Sequence, residues 1–464
     1  MKALSLKQVA DWAGGRLQNA SAQAEIRRVV IDSRGIRSGD LFVALKGENH
    51  DAHTFLEDVA RAGAVAALVR PGTSIQAPGM ALIEVEDTLA GLQKLAANYR
   101  ASLKVEIVGV TGSSGKTSSK EFLSAVLSTR FKTQKTEGNL NNHIGVPLTL
   151  LSIDESHEWA VVEMGMNHPG EIAALCEIAK PNAGVVTNVG WAHIEFFNDQ
   201  CGIAEEKSSL VRSLGKTGLA VLNGDNEWLQ SLNGKLHAMT VYAGSSAICS
   251  CRVSDACWAD GQMEFKIAVG GQTELIRISA PGWHMAQNAA LAIAFGHALG
   301  LDLAEMRDGL ARAALPKGRV AILKHGEGWL LDDAYNANPD SMVAALKTVG
   351  LMPGEGAKIA LLGAMGELGN WSEILHQYTG RAVVENNFQY CFCTGEASKA
   401  LVEAARAAGM SNEQARWFET REELFENYLA VSFPDDRIVV KGSRSQQMEL
   451  VVDWLKKGAA CSIT

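Results

Sequence analysis

The sequence predicts an α/β protein of three domains, and three observations lead to that prediction. Short apolar stretches typical of strands alternate with helical patterns along most of the chain, as in proteins with mainly parallel sheets. The chain has 464 residues, enough for about two to four domains of ordinary size. It contains 45 glycines and only 10 prolines, which suits many tight turns between strands and helices. We place the domains at residues 1–103, 104–315 and 316–464.

The first domain is predicted to be a small α/β unit. Residues 27–34 are expected to form a short strand and a polar turn, and residues 40–45 and 65–69 two further strands, because these stretches are mostly apolar. Residues 55–62 and 89–100 carry apolar side chains at helical spacing and are predicted to be helices.

The central domain is predicted to contain a mainly parallel sheet. A strand over residues 105–110 runs into a Gly/Ser loop and then a helix over residues 117–129. Residues 240–280 break the alternation, and we expect an antiparallel insertion or edge sheet there. The other predicted elements are strands at 159–162, 183–188 and 219–222, and helices at 170–179, 202–214, 284–299 and 303–313.

The alternation restarts after a linker at residues 316–319, which indicates a second open α/β domain. Its glycine-rich loop at residues 363–369 follows a predicted strand, so we expect this loop to face a cleft. The predicted elements are strands at 329–331, 358–362, 389–393 and 437–440, and helices at 340–349, 371–384, 398–408 and 446–456.

Composition and charge argue against several classes of protein. Lys and Arg number 43 against 52 Asp and Glu, a formal net charge of −9, which argues against a broad basic face for nucleic acid. No apolar run approaches the roughly 18 residues of a membrane span, and the first residues lack the apolar core of a signal peptide. The eight cysteines form no CxxC pair, so we expect reduced, structural cysteines and a cytoplasmic protein.

The strongest local signal is the sequence TGSSGKT at residues 111–117, between a predicted strand and a predicted helix. In a phosphate-binding loop of this kind, glycines let backbone N–H groups approach phosphate oxygens, and the helix N-terminus adds positive charge. Lys116 would reach the β- and γ-phosphates, and the Thr117 hydroxyl would ligate Mg²⁺. Val110 stands where the full pattern has glycine; the alternative is an ordinary Gly/Ser turn. The loop residues are Gly112, Ser113, Ser114, Gly115, Lys116, Thr117 and Ser118.

Possible metal ligands follow the neighbouring strands. Glu163 ends one predicted strand, and His193 follows the next after a short turn, so both should lie beside the phosphate loop at the carboxyl edge of the sheet. A lone histidine is more often structural, but its place on this edge favours a ligand. Lys207 lies near the start of a predicted helix, and from the residues alone we expect a solvated surface lysine.

Two segments are rich in asparagine. Residues 136–147 contain three asparagines within four positions, and residues 332–341 contain two more. Asparagine both donates and accepts hydrogen bonds, which suits recognition of sugars, peptides and nucleotides. It also favours turns and helix caps, and both roles can hold together. We expect Asp340 or Ser341 to cap the helix that follows.

Four segments besides the phosphate loop are distinctive: residues 32–34 with 39–45, 138–147, 333–339 and 441–445. With that loop they resemble the Mur ligase family, the ATP-dependent amide ligases of peptidoglycan precursor synthesis, over nearly the whole chain. The segments Gly-Asn-x-Asn-Asn at 138–142 and Lys-Gly-Ser-Arg-Ser at 441–445 are similar to the member that adds D-alanyl-D-alanine to UDP-N-acetylmuramoyl-tripeptide.

The resemblance implies that the first domain holds the uridine nucleotide substrate and the second binds ATP. The third domain is implied to be Rossmann-like, to close over the site and to bring the dipeptide. It also implies two Mg²⁺ ions and a Lys207 carbamylated by CO₂, in place of the surface lysine expected above. The implied reaction runs through an acyl phosphate, with Lys116, Lys207, His193 and Glu163 as catalytic residues.

The remaining roles are carried over from the family motifs. The implied metal ligands are Thr117, Glu163, His193 and Lys207. Implied ATP contacts, besides the phosphate loop, are Asn288, Arg319, Asp333, Tyr335 and Asn336. Implied contacts to the UDP substrate are Asp32, Ser33, Arg34, Ala44, Lys46, Asn139, Asn141 and Asn142. Implied contacts to the dipeptide are Asn338, Lys441, Ser443 and Arg444. One departure is Met285, which stands where the family usually has the first asparagine of His-Asn-x-x-Asn.

The expected partners are the UDP-sugar tripeptide, the dipeptide and ATP, without nucleic acid or membrane insertion, and we expect a monomer. Within ligases, the alternatives are a relative that adds a different amino acid and a folylpolyglutamate synthetase-like enzyme. Outside them, the alternatives are a non-catalytic protein that kept the nucleotide fold, and a P-loop GTPase or small-molecule kinase.

Overall fold

The computed structural model describes residues 1–18, 24–75, 79–259 and 261–461. In these ranges the chain forms three α/β units, each built around its own mainly parallel sheet. The predicted fold class is confirmed. None of the helices in these ranges combines the length and the apolar character needed to cross a lipid bilayer.

The N-terminal unit is a five-stranded sheet of order β2-β7-β6-β5-β4, with β2 antiparallel to its neighbour and β1 and β3 forming a separate antiparallel pair. The Tyr99 hydroxyl donates to the carbonyl of Ile153 at 2.6 Å, so the last helix ties this unit to the central one. The elements are strands β1 Leu4–Ser5, β2 Arg16–Gln18, β3 Glu25–Ile26, β4 Arg28–Val30, β5 Asp40–Val43, β6 Ala66–Val69 and β7 Ala81–Glu84, and helices α1 Leu6–Ala13, α2 Leu56–Arg61 and α3 Thr88–Ala101.

The central unit is a nine-stranded sheet whose strands come from consecutive parts of the chain. The elements are β8 Glu106–Thr111, α4 Lys116–Leu127, β9 Thr133–Lys135, α5 Gly145–Ser152, β10 Trp159–Glu163, α6 Glu171–Ala179, β11 Ala183–Val186, α7 Gln200–Arg212, β12 Leu219–Asn223, α8 Glu227–Gln230, β13 Met239–Gly244, β14 Cys251–Ala259, β15 Gln262–Val269, β16 Gln272–Ile278, α9 Trp283–Ala298 and α10 Leu303–Ala311.

The strand order of this sheet is β16-β15-β14-β13-β12-β11-β8-β10-β9, parallel from β9 to β14. The predicted antiparallel edge is confirmed for β14, β15 and β16, whereas β13 continues the parallel run. Because β8 lies between β10 and β11, the loop that follows β8 sits at a crevice where successive connections diverge, a favoured ligand position in open α/β sheets.

The C-terminal unit is a six-stranded sheet of order β17-β18-β22-β19-β20-β21, parallel except for β17 at the edge. Strand β17, strand β21 and helix α14 add to the predicted elements. The elements are β17 Ala321–His325, β18 Gly328–Asp332, α11 Pro339–Gly350, β19 Lys358–Gly363, α12 Ser372–Glu385, β20 Tyr390–Thr394, α13 Lys399–Ala407, β21 Ala415–Phe418, α14 Arg421–Leu429, β22 Arg437–Lys441 and α15 Glu449–Cys461.

Candidate functional site

A cleft of about 670 Å³ lies between the central and C-terminal units, within the usual size range of small-molecule sites. Residues from the carboxyl ends of β8, β10, β11, β18 and β22 line it. The predicted site residues in its lining are Ser113, Ser114, Gly115, Lys116, Thr117, Ser118, Asn139, Asn141, Asn142, Glu163, His193, Asn288, Arg319, Asp333, Tyr335, Asn336, Asn338, Lys441, Ser443 and Arg444. Those outside the lining are Asp32, Ser33, Arg34, Ala44, Lys46, Gly112 and Lys207.

The phosphate loop has the backbone that its glycines predict. Gly112 and Gly115 have φ values of 154° and 78°, which side chains disfavour. A Cβ at position 112 would fall on the Thr187 hydroxyl, and one at 115 would lie 2.8 Å from Asn288 Oδ1. The loop therefore fits closely against two polar side chains and leads straight into α4.

Lys116 opens helix α4, and its ammonium donates to the carbonyl of Gly112 at 2.7 Å, so the side chain folds back over its own loop. Burial lowers the pKa of Lys116. Asn188 fixes the same loop from the end of β11, because its side chain accepts from the Ser114 N–H at 2.9 Å and donates to the Ser114 hydroxyl. Sequence reasoning missed Asn188, although its place after a parallel strand was a signal.

Glu163 at the end of β10 is buried, and its two carboxylate oxygens differ. One accepts from the Thr117 hydroxyl at 3.3 Å and from the Asn141 amide at 2.8 Å. The other, Oε2, is buried without a hydrogen bond. A buried carboxylate oxygen with a free lone pair beside a threonine hydroxyl fits the oxygen ligands that Mg²⁺ prefers.

Lys120 is a further buried cation that sequence reasoning missed. Its ammonium is 1% exposed, donates to the carbonyl of Thr136 at 2.8 Å and lies 3.7 Å from Glu163 Oε2. It also pairs with Glu121 at 3.2 Å. Its spacing four residues after Lys116, on one face of α4, was the available signal. Lys120 therefore holds the Glu163 carboxylate in place from the side of Oε2.

His193 meets a carboxylate from the other unit. Its Nδ1 lies 2.6 Å from Oε2 of Glu367, in the glycine-rich loop after β19 that was expected to face a cleft. Burial lowers the pKa of His193, and the hydrogen bond from His193 lowers the pKa of Glu367. Within the described ranges, no three His, Cys, Asp or Glu side chains form a cluster that could hold a metal ion.

Lys207 lies on α7 and is 1% exposed, so the expectation of a solvated surface lysine is wrong. The helix turns this side chain into the protein. Among the described residues, its ammonium has no hydrogen-bond or ion-pair partner. Burial, reinforced by the nearby charge of Lys116, lowers the pKa of Lys207 well below its usual value. A lowered pKa increases the fraction of the amine that is neutral, which is the nucleophilic form.

The basic side of the cleft is built around Tyr335. The Arg319 guanidinium lies 4.2 Å from the centre of its ring and that of Arg444 lies 5.9 Å away. Lys441, which is buried, forms an ion pair with Asp333 and donates to the carbonyl of Asn336 at 2.9 Å.

The other two residues predicted to contact the dipeptide from the end of β22 differ in exposure. The Ser443 hydroxyl donates to the carbonyl of Ala364 at 2.7 Å. Arg444 keeps an exposed side chain that pairs with Glu449 at 2.8 Å. Lys441 and Ser443 therefore hold the loop, whereas the Arg444 side chain lines the cleft and stays exposed.

The start of α9 carries the departure from the family pattern. Asn288 is buried, and its amide points to the sulfur of Met285 at 3.9 Å. Its neighbour Gln287 donates to Asp225 at 2.7 Å. Met285 is itself buried at the start of α9. The Asn288 amide therefore makes a weak contact with sulfur at the position where the family pattern has an asparagine.

Some asparagines act as caps. Asn142 accepts from the N–H groups of Ile144 and Gly145 as α5 begins. Asn338, not Asp340 or Ser341 as expected, is the N-cap of α11, and Ser341 completes its capping box. Asp340 instead accepts from the Trp191 N–H at 2.7 Å and links the two units. Asn338 also donates to the carbonyl of Ser113 at 3.4 Å, which places α11 against the phosphate loop.

The other two asparagines of the first segment lie at the Glu163 side of the cleft. Asn139 lines the cleft, and the carbonyl of Asn141 accepts from the Gly165 N–H at 2.7 Å. Because the Asn141 amide also reaches Glu163, the asparagine loop is joined to the end of β10 by both its backbone and its side chain.

The residues predicted to bind the uridine nucleotide lie in the N-terminal unit. Asp32 and Arg34 form an exposed ion pair at 2.7 Å, which lowers the pKa of Asp32 to about 2, and Ser33 lies between them. Ala44 is buried and accepts from the Thr88 hydroxyl at 2.9 Å. Lys46 forms an isolated β-bridge with Asp51 beyond β5.

Three family descriptions match the chain in order. They are the Mur ligase family catalytic domain over residues 25–100, the Mur ligase middle domain over 110–296, and the Mur ligase glutamate ligase domain over 318–444.

Individual proteins match along nearly the whole length. The UDP-N-acetylmuramoyl-tripeptide–D-alanyl-D-alanine ligase of Bacillus subtilis is 33% identical over 97% of both chains. A crystal structure of MurF from Acinetobacter baumannii superposes with a TM-score of 0.89 at 31% identity, covering 98% of this chain and 99% of that one. MurF ligase from Thermotoga maritima, in complex with ADP, gives a TM-score of 0.82 at 27% identity, covering 94% and 98%. With this similarity across all three units, the chain belongs to the Mur ligase family.

Proposed function

We propose that the protein is an ATP-dependent ligase that joins D-alanyl-D-alanine to UDP-N-acetylmuramoyl-tripeptide and releases ADP and phosphate. The observation that carries this proposal is that the phosphate loop, the asparagine loop and the basic end of β22 all line one cleft. The full-length relative in Bacillus subtilis bears the name of this activity, and the relative from Thermotoga maritima binds ADP.

In the first step, a carboxylate oxygen of the tripeptide attacks the γ-phosphorus of ATP, and the bond to the bridging oxygen breaks to release ADP. In the second step, the amine of the dipeptide attacks the carbonyl of the resulting acyl phosphate. The amide bond forms, phosphate leaves and the nitrogen loses a proton. Lys116 and the loop N–H groups offset the negative charge that builds up between the anions. The two units that meet over the cleft exclude the water that would hydrolyse an acyl phosphate.

We propose that Thr117, Glu163 and His193 hold two Mg²⁺ ions together with phosphate oxygens. The buried free oxygen of Glu163 supports this assignment. Bound Mg²⁺ would offset phosphate charge during transfer. Lys120 and Asn141 keep the Glu163 carboxylate oriented toward the phosphate loop.

We propose that Lys207 is carbamylated. Its amine attacks CO₂, a nitrogen–carbon bond forms and one proton leaves, which converts a buried lysine without a partner into an anionic carbamate. Its burial and the lowered pKa of its ammonium support this step, because only the neutral amine reacts. The carbamate would also relieve the repulsion between Lys207 and Lys116.

We propose that residues 1–103 hold the uridine nucleotide through Asp32, Ser33, Arg34, Ala44 and Lys46. These side chains lie outside the cleft, which suits the far end of a long substrate. The asparagine loop, with Asn139, Asn141 and Asn142, would hold the part that enters the cleft from that side. Residues 104–315 would bind ATP through the phosphate loop and Asn288, and Arg319, Asp333, Tyr335 and Asn336 of residues 316–464 would add contacts from the facing side of the cleft.

We propose that the dipeptide lies against the end of β22 and the start of α11. Asn338, Lys441, Ser443 and Arg444 border this part of the cleft. Lys441 and Ser443 are buried and bonded within the protein, whereas Arg444 has an exposed pair with Glu449 that a ligand could replace, so its guanidinium is the group that would bind the dipeptide carboxylate. We further propose that the protein is a monomer and that it works in the cytoplasm, where ATP and both precursors are present.

The proposal is tested by phosphate release from ATP with UDP-N-acetylmuramoyl-tripeptide, with and without D-alanyl-D-alanine. Release that needs both substrates supports it. Stronger release with a single amino acid or with a folate would instead favour another ligase of this fold. Calorimetric preference for GTP over ATP, or release with neither substrate, would favour a different class of nucleotide hydrolase.

A further inference from the structure

Two loops from different units meet at His193 and Glu367. One follows β11 of the central unit and the other follows β19 of the C-terminal unit. Besides the side-chain contact at 2.6 Å, the backbone N–H of Glu195 donates to the carbonyl of Glu367 at 3.1 Å. The side-chain contact therefore depends on the C-terminal unit being docked as it is here.

The backbone at both residues is unusual. His193 has a φ of 65° and Glu367 a φ of 58°, in the left-handed region that side chains other than glycine rarely adopt. Such conformations persist where the surroundings hold them, and they concentrate at functional sites. Two of them facing each other across an interface indicate that both loops are shaped to bring these side chains together.

The contact selects one nitrogen of the imidazole. A carboxylate can only accept a hydrogen bond, so Nδ1 of His193 donates in this contact, and in the neutral imidazole the lone pair is then on Nε2. The His193 side chain itself lines the cleft. Histidines that bind metals commonly donate their second nitrogen to a carboxylate, which fixes the ring.

We propose that Glu367 is a positioning residue that orients His193 toward a divalent cation only when the C-terminal unit is docked, so that docking and cation binding favour one another. This rests on the proposed function, in which His193 is a cation ligand. It assigns to the glycine-rich loop of the C-terminal unit a task at the nucleotide site of the central unit.

The test is a titration of Mn²⁺ into the full-length protein with a non-hydrolysable ATP analogue, with free Mn²⁺ read by electron paramagnetic resonance. Glu367→Ala should weaken Mn²⁺ binding about 10-fold, at the lower end for residues that support a metal ligand. Glu367→Gln should lose less, because its carbonyl still accepts from Nδ1. Glu195→Gln is the matched control, an exposed acid of the facing loop, and should bind as the wild type does.

A double-mutant cycle separates this role from general damage. In a His193→Ala background, Glu367→Ala should weaken Mn²⁺ binding no further. An equal loss in both backgrounds, or unchanged binding in Glu367→Ala and Glu367→Gln, overturns the inference. Small-angle scattering tests whether cation binding favours docking of the C-terminal unit. The ATP analogue with Mn²⁺ should compact the wild type more than Glu367→Ala, and equal compaction of the two proteins would contradict the inference.

Failure of the proposed function is visible separately. Wild-type protein that shows the Mn²⁺ coupling but releases no phosphate with both substrates would refute the ligase proposal and still support the role of Glu367. Wild-type protein that ligates, with no coupling between His193 and Glu367, would refute only the present inference.

Discussion

At the scale of single residues, two buried ionisable groups have atoms that no hydrogen bond within the described part of the protein satisfies. Lys207 has no partner among the described residues, and one oxygen of Glu163 has no hydrogen bond. Buried groups of this kind are costly unless a ligand or a modification completes them. The site is therefore incomplete without its ligands.

Lys207→Ala should lower ligase turnover by at least about 100-fold, the scale of losing one preorganised electrostatic group. Small carboxylic acids should restore part of it by occupying the place of the carbamate. Lys216→Ala, at an exposed lysine in the turn after α7, is the control. Carbon-13 NMR in ¹³CO₂-equilibrated buffer should show a carbamate signal that Lys207→Arg lacks. Full activity in CO₂-free buffer would refute the carbamate.

Arg444→Ala should raise the KM for D-alanyl-D-alanine about 10-fold to 100-fold, the equivalent of one charged hydrogen bond. The KM for the UDP substrate should not change. Arg444→Lys should keep part of the affinity as a point charge without the paired geometry. Arg381→Ala, an exposed arginine of α12, serves as control. An unchanged dipeptide KM in Arg444→Ala would show that this carboxylate binds elsewhere.

His284 gives a pH prediction for stability. Burial lowers its pKa to about 4 in the folded protein, below the ordinary value near 6.5. Between these values the unfolded chain binds the proton and the folded one does not, so stability falls as pH drops from about 6.5 to 4. His284→Gln should flatten that fall in thermal melts across this range, whereas the exposed His237→Gln should not. Parallel curves for wild type and His284→Gln would contradict the assignment.

At the scale of elements, the sequence predicted best those whose apolar pattern is continuous. Strands β8, β10 and β22 are buried apolar runs, and the phosphate loop, Glu163 and the Lys441 segment at their ends line one cleft. Strand β21 escaped because it is a short edge strand with Arg416 and Trp417 half-buried, which breaks the apolar run. Helix α5 escaped because it is apolar on all sides and contains Pro147 in its first turn.

The contacts between side chains of the site could be predicted only in part. Thr117 and Glu163 could be predicted to lie near each other, because neighbouring parallel strands end at the same edge of a sheet. The pairing of His193 with Glu367 joins residues 174 positions apart in two units, and no periodicity within either unit encodes it. Lys207 was misjudged because a polar helix pattern does not reveal that the fold buries this one lysine of α7.

The N-cap of α11 allows a test at the scale of this helix. Asn338→Ala should lower the free energy of unfolding by about 1 kcal/mol, the usual cost of losing a cap. Asn338→Ser should keep most of the stability, because serine also caps, but it loses the amide bond to Ser113. Urea denaturation measures both. A Ser variant as unstable as the Ala variant would mean that the bond to Ser113, rather than the cap, carries the stability.

At the scale of the whole molecule, the central and C-terminal units form the cleft, and the N-terminal unit packs on the central one. The N-terminal unit is fixed to the central one by Tyr99 and by Arg100, which donates to the carbonyl of Ala179 at 3.0 Å. The C-terminal unit is joined to it through Trp191, whose N–H meets Asp340 and whose ring contacts Trp371 at 5.3 Å. The net charge of −9 does not prevent anionic substrates from binding, because local cations line the cleft.

This cleft is proposed to join a dipeptide to a UDP-sugar tripeptide with conversion of ATP to ADP and phosphate. Mass spectrometry of the nucleotide product after incubation with ATP, Mg²⁺ and both substrates tests this directly. We expect a UDP-sugar whose mass has grown by D-alanyl-D-alanine less one water, with one ADP formed per product. An unchanged UDP-sugar while ATP is consumed, or a product that has gained only a single amino acid, would contradict it.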